Sequence, residues 1–290
     1  MAQHQHDARW TAGQAGAVRS IAATVASAAE AEWLIPAAVD AAAGFGAHLT
    51  VVRPVETIVP YAGDIAYDPG LLQHLMSVET AETDAIRAVF DRVTAAEDAR
   101  AEFRCPGDGR PVADWAVLDA LRAADLIVIG RLPKDDAVRD RMRLQEAVIR
   151  GAGRPVLLLP PDAAVSGPFG HIVIGWSPTK EATRAAHDAL ALAAPGARLD
   201  ILSVGHGGQG PDSRGDLAAA LDRRGFRVEL VDREGGAGRA GEVLLQAAAE
   251  RGAEAIATGA FGHSKFYDFV IGAVTSHLLA ESACPVILSR

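Results

Sequence analysis

The chain has 290 residues, of which 49% are hydrophobic and 22% charged, with a formal net charge of −9. That length suggests about two domains, and the balance of apolar to charged residues argues against a disordered chain. The acidic composition lacks the basic footprint of a nucleic-acid binder or a polybasic stretch for anionic lipid. No segment approaches the ~20 uninterrupted apolar residues of a membrane span.

In chain order, residues 1–17 are polar, carry no apolar h-region, and read as a disordered tail rather than a signal peptide. Ser20–Ala26 reads as a weak strand, Glu30–Gly46 as a helix ending in Gly44 and Gly46, and His48–Val55 as a strand. A Tyr- and Pro-bearing loop, Glu56–Gly70, leads to a helix over Leu71–Ala96. Ala101–Cys105 is a strand, Val112–Ala124 a helix, Asp125–Arg131 a buried strand, Asp136–Arg150 a charged helix, and Pro155–Pro160 a closing strand.

After a Pro/Gly-rich linker the pattern starts again. His171–Ser177 is a strand, and Thr179 caps a helix that runs to Pro195–Gly196. Arg198–Val204 is a strand, followed by a Gly-rich loop and a helix over Asp216–Arg224. Phe226–Val231 is a strand, Ala240–Arg251 a helix, Ala253–Gly259 a buried strand, Lys265–Glu281 a long helix, and Pro285–Ser289 the last strand. Strands alternating with helices of this length predict an α/β fold with parallel, doubly wound sheets. The order of elements occurs twice, and so does the closing motif, as GRPVLLLP and ACPVILSR. A proline at the first residue of a strand is tolerated because it need not donate there. The expectation is two tandem domains, residues 18–161 and 171–290, joined by a linker at 162–170. The apolar closing strands are expected to pair the two domains about a pseudo-two-fold, since such an edge seeks a partner.

In an open parallel sheet, ligands bind beyond the carboxyl ends of the strands, where the strand order reverses. There the second half carries Gly259-Ala260-Phe261-Gly262-His263-Ser264 and then Gly272-Ala273-Val274-Thr275, a Gly-x2-Gly-x9-Gly spacing. Glycines let the backbone bend closely around a ligand, and N–H groups at a helix start favour an anion. Gly272 falls inside the expected helix, where glycine costs about 1 kcal/mol against alanine, which suggests a close approach. The alternative is a strand-to-helix turn that merely needs glycine.

The first half departs from this spacing. Counted from Gly130, it places Pro133 and Arg143 where the second and third glycines would stand. Proline offers no N–H and arginine blocks close approach. Arg139, Arg141, Arg143 and Arg150, interleaved with Asp135, Asp136, Asp140 and Glu146, read as a salt-bridged solvated face, with an anion patch as the alternative. Trp33, Trp115 and Trp176 read as core residues, and Cys105 and Cys284 as small buried residues of a reducing compartment. His206 and His263 lack metal-ligand spacing, and the loop Gly205–Gly210 has no Lys-Ser/Thr to make it a phosphate loop.

The run TGAFGHSKFYDFVIGAVTSHLLAESACPVILSR, residues 258–290, resembles the closing signature of the universal stress protein family, and IVIGWSPTKEATRAAHDAL resembles its opening strand and helix. The resemblance covers residues 171–290 by motif and the first half by element order. It implies two Rossmann-like, adenine nucleotide alpha-hydrolase-like domains. Each would be a five-stranded, mostly parallel sheet with helices on both faces. It also implies a stress-response role in the cytoplasm, homodimer formation, and possible binding of ATP or another adenine nucleotide in the second half. The residues this assigns are Gly175, Trp176, Ser177, Val204, Gly259, Gly262, His263, Ser264, Gly272, Ala273, Val274 and Thr275. Two positions depart from the family pattern. Ala273 replaces a Ser/Thr, and Trp176-Ser177 stands where an acid is common. A slow ATP hydrolase and a scaffold that binds no nucleotide are the competing readings.

Overall fold

A computed structural model describes residues 18–55, 69–97, 99–107, 114–131, 138–205, 213–261 and 272–290. The expected tail therefore lies outside the described residues, as do residues 56–68 of the Tyr/Pro loop and residues 262–271, while Pro69 and Gly70, expected in that loop, open the helix that follows it.

The first half comprises β1 (Ser20–Thr24), α1 (Ala28–Phe45), β2 (His48–Val52), α2 (Pro69–Glu97), β3 (Ala101–Arg104), α3 (Asp114–Leu121), β4 (Leu126–Gly130), α4 (Val138–Gly151) and β5 (Val156–Leu159). The second comprises β6 (Phe169–Gly175), α5 (Lys180–Asp188), β7 (Ala193–Val204), α6 (Arg214–Asp222), β8 (Arg227–Arg233), α7 (Ala240–Arg251), β9 (Ala255–Gly259), α8 (Ala273–Glu281) and β10 (Val286–Ser289).

All the strands belong to one ten-stranded sheet of order β3-β2-β1-β4-β5-β10-β9-β6-β7-β8. Each half contributes five strands in the same order, so the sequence of strands reads alike from both edges. Every pairing is parallel except β5 with β10, where Val286, Ile287 and Leu288 face Leu158, Leu157 and Val156. The two five-stranded sheets expected from the sequence are thus continuous. The reason lies in β5 and β10 themselves: VLLL and VILS are buried along their whole length, and either would be an apolar edge without the other.

Alternation along the strands sends side chains into two cores. One lies under α1, α2, α5 and α6, and contains Leu34, Ile86, Ala186 and Leu221; the other lies under α3, α4, α7 and α8, and contains Leu121, Val148, Leu244 and Leu278. Both cores run through both halves. The linker is also bound in: a Cβ on Gly44 would collide with the backbone of Ser166 and Gly167, so glycine there lets the linker lie on the end of α1.

Several local features differ from the sequence reading. The helix after β6 ends at Asp188, passes through a 3-10 turn at Ala189–Ala191, and β7 begins at Ala193. Pro195 and Gly196, expected to stop the helix, lie inside that strand. The register between β6 and β7 shifts there, and Gly196 is left-handed at φ +72°. Trp115 is 69% exposed, not core, while Trp33 and Trp176 pack against the core. Cys105 and Cys284 are half-buried and unpaired, and burial pushes the Cys284 thiol up. No helix among the described residues is long and apolar enough to cross a membrane.

The amino ends of the strands carry matched anchors. In the first half Asp125 accepts the Ser20 N–H at 3.0 Å, and in the second Glu254 accepts the Gly170 N–H at 2.7 Å. The halves differ one strand over. Thr50 on β2 donates to Glu102 at 3.0 Å, whereas the equivalent position on β7 is Asp200, fully buried and bonded to Arg251 at 2.5 Å, His171 at 2.7 Å and Arg198 at 2.9 Å. Burial opposes ionisation of Asp200, but the hydrogen bonds from Arg251, His171 and Arg198 outweigh it and hold the carboxyl below its ordinary range.

Candidate functional site: two switch-point crevices

In the second half the strand order reverses between β6 and β9, with Gly175 paired to Thr258. The residues that follow these strands define the crevice. Trp176 donates its backbone N–H to Leu202 O at 2.7 Å, and its ring packs on the core beneath α5. Ser177 lies 3.3 Å from the Thr179 hydroxyl, which accepts the Ala182 N–H at 3.2 Å and caps α5. Val204 ends β7 against Gly235, whose Cβ would lie 2.8 Å from Val204 Cγ1. A Cβ on Gly175 would touch Leu244 and Thr258 at 3.1 Å.

Gly259 has a specific cause. A Cβ there would lie 2.6 Å from Ala182 N and the Glu181 carbonyl carbon, so glycine admits the first turn of α5 against the end of β9. Packing alone accounts for this glycine. Phe261, two residues on, is held in the left-handed region at φ +64°, a conformation that costs a bulky residue about 1–2 kcal/mol. Gly262, His263 and Ser264 lie outside the described residues.

Gly272 is not inside a helix. It is the N-cap of α8, with φ −60° and ψ 138°, and no described atom lies within 4 Å of where its Cβ would be. The glycine penalty expected for a helix interior therefore does not arise. Ala273, Val274 and Thr275 form the first turn of α8, on the carboxyl side of the sheet. No side chain among the described residues caps their N–H groups, although the Gly272 carbonyl accepts from Ser276 at 3.0 Å. Ala273 is exposed and Thr275 is buried. This is a surface suited to anionic oxygen atoms.

The first-half crevice, between β1 and β4, is filled by the chain itself. Gly130 is the counterpart of Gly259, and a Cβ there would lie 2.5 Å from Glu30 Oε1 and 2.9 Å from the Trp33 ring. Glu30 is buried and accepts the Ala26 N–H at 2.7 Å, while its own N–H donates to Ser27 Oγ at 3.2 Å, a variant of the capping box. Arg141 reaches in from α4 to donate to Ser27 Oγ at 2.7 Å, and Gln145 Nε2 donates to Gly130 O at 2.6 Å. Arg53, at the end of β2, pairs with Glu79 at 2.8 Å and also donates to the Pro54 carbonyl. Burial raises the Glu30 carboxyl, with the Ala26 N–H and the Arg141 charge partly offsetting it.

The helix read as a solvated charged face is therefore divided. Arg141 turns inward, while Arg150 pairs with Glu146 at 2.8 Å and lies 3.9 Å from the centroid of Phe261. Sequence reasoning missed Glu30, Arg53 and Gln145. Only Glu30 had a local sign, the Ser27-x-x-Glu30 spacing. Among the described residues no cluster of three His, Cys, Asp or Glu side chains could hold a metal ion.

Residues 168–290 match the model of the universal stress protein family. No curated protein matches the chain. Among solved structures, a universal stress protein from Archaeoglobus fulgidus DSM 4304 is similar with a TM-score of 0.66 at 17% identity, over 93% of this chain and 98% of that one. A putative universal stress protein from Pseudomonas aeruginosa UCBPP-PA14 is similar with a TM-score of 0.51 at 16% identity, over 94% of each chain. At these identities the likeness is one of fold, and it extends over both halves.

Proposed function

We propose, from the premise that residues 168–290 belong to the universal stress protein family, that the second half is the ligand-binding half of a stress-response protein and takes an adenine nucleotide. The observation that carries this reading is the contrast between the crevices. In the second, no side chain among the described residues caps the first-turn N–H groups of α8, and no described atom lies within 4 Å of where a Gly272 Cβ would be. In the first, the Glu30 carboxylate and the Trp33 ring lie against Gly130, the counterpart of Gly259, and Arg141 reaches in to Ser27.

The phosphate side of a nucleotide suits what is present. The N–H groups of Ala273, Val274 and Thr275 would meet phosphate oxygens, helped by the helix dipole. Thr275 carries the hydroxyl that position 273 lacks. The base and ribose side is less provided for, because Trp176 is committed to the core where the family often has an acid. Recognition would then rest on the phosphates more than on the sugar, so ATP and ADP should both bind and discriminate weakly against other nucleotides.

Thermal unfolding with and without millimolar ATP or ADP tests this. Ligand at 100 times its Kd is expected to add about 2.7 kcal/mol of stability. Ala273→Glu, an exposed change that places a negative charge in the first turn of α8, should leave the unliganded protein folded and remove most of the ligand shift. If no adenine nucleotide shifts the wild-type transition, the reading is wrong.

A further inference from the structure

Phe261 is the one non-glycine residue with a positive φ among those described, and it stands at the root of the glycine loop. Its ring is not left to solvent. The Arg150 guanidinium carbon lies 3.9 Å from the ring centroid and that of Arg290 lies 5.9 Å away. Arg150 belongs to α4, in the other half, and its side chain is only 17% exposed. The contact therefore crosses the β5–β10 junction in a partly desolvated setting, where a cation over a ring face is at its strongest. Glu146 pairs with the same guanidinium and fixes its approach. A contact in the opposite sense supports the crossed arrangement: Arg131, just past β4, donates to the Ser282 carbonyl at the end of α8 at 3.3 Å.

We propose that Arg150 is a positioning residue through which the half with the filled crevice fixes the root of the other half's glycine loop, by clamping Phe261 in its left-handed conformation. The first half is then a conformational partner of the second site. The ligand such a root would serve is the nucleotide phosphate proposed above, and that part alone rests on the reading of the second crevice. The clamp itself exists without ligand.

The test is amide hydrogen exchange of the full, unliganded chain over the segment Ala255–Phe261. Arg150→Met keeps the apolar stem and removes the cation. It is expected to speed exchange at Ala260 and Phe261 by about threefold to thirtyfold, and Arg150→Lys should restore part of the protection. Phe261→Gly adopts the left-handed conformation without a clamp. In that background Arg150→Met should change exchange there by less than about twofold, whereas a role for Arg150 in merely holding the two halves together would persist. Unchanged exchange in Arg150→Met, or an undiminished effect of it in Phe261→Gly, overturns the proposal. Titration with ATP separates the two ideas. A wild-type chain that binds no ATP while Arg150→Met still loosens the segment defeats the nucleotide reading and leaves the clamp standing.

Discussion

The two crevices share a strand order and differ in their contents. Gly130 and Gly259 end equivalent strands, and both lack a Cβ because the first turn of the neighbouring helix comes against them. A glycine at that position reports helix packing in both halves and says nothing of a ligand. What separates the halves lies further along the chain. Against Gly130 lie the Glu30 carboxylate and the Trp33 ring, with Arg141 reaching in to Ser27, whereas Gly272, which starts α8, has no described atom within 4 Å of where its Cβ would be. On the proposed reading, the glycine that bears on a ligand is the third of the spacing.

The sharpest way to separate the halves energetically is at the amino ends of the strands. Asp200→Ala removes three charge-assisted hydrogen bonds at once, from Arg251, Arg198 and His171, and although both arginines keep Glu229 it should cost about 4 kcal/mol. Thr50→Ala, at the matching position, should cost only about 1 kcal/mol. Chemical denaturation of the two variants measures the difference, and equal losses would break the contrast. Because the Asp200 carboxyl is held low, its contribution is complete above its unfolded value of about 3.9 and disappears as pH falls below that. The acid limb of the wild-type stability curve should therefore flatten in Asp200→Asn.

A somewhat smaller gap is expected at the paired glycines. The methyl of Gly259→Ala meets the backbone of Glu181 and Ala182, which cannot move without displacing α5, and should cost about 3 kcal/mol. That of Gly130→Ala meets the ends of the Glu30 and Trp33 side chains, which can swing aside, at about 1 kcal/mol. If denaturation midpoints rank the two the other way, the account of close approach fails.

The smallest effect concerns the filling of the first crevice. Burial raises the Glu30 carboxyl, so its stabilising contribution is full below the unfolded value of about 4.3 and is lost as pH rises through the higher folded value. Glu30→Gln cannot ionise. Relative to wild type it should gain stability as pH rises from about 4 until Glu30 ionises in the folded protein, and hold that margin at higher pH. A margin that grows in the acid direction would mean that Arg141 and Arg53 govern Glu30 more than burial does.

Much of this was written locally. The alternation of apolar strands with helices, the repeated order and the closing motifs PVLLL and PVILS dictate a parallel α/β fold, because period and composition act over a few residues. The apolar edges of those closing strands also foretold their pairing. Element ends were less legible. Gly196 reads as a helix stop, yet in the structure it shapes the irregular stretch of β7, since strand pairing with β6 decides there. The meaning of Gly259, the inward turn of Arg141, and the seat of Phe261 on Arg150 were not in the sequence at all. Each depends on atoms brought together from distant positions, and a spacing rule records which residues lack a side chain but not what occupies the room.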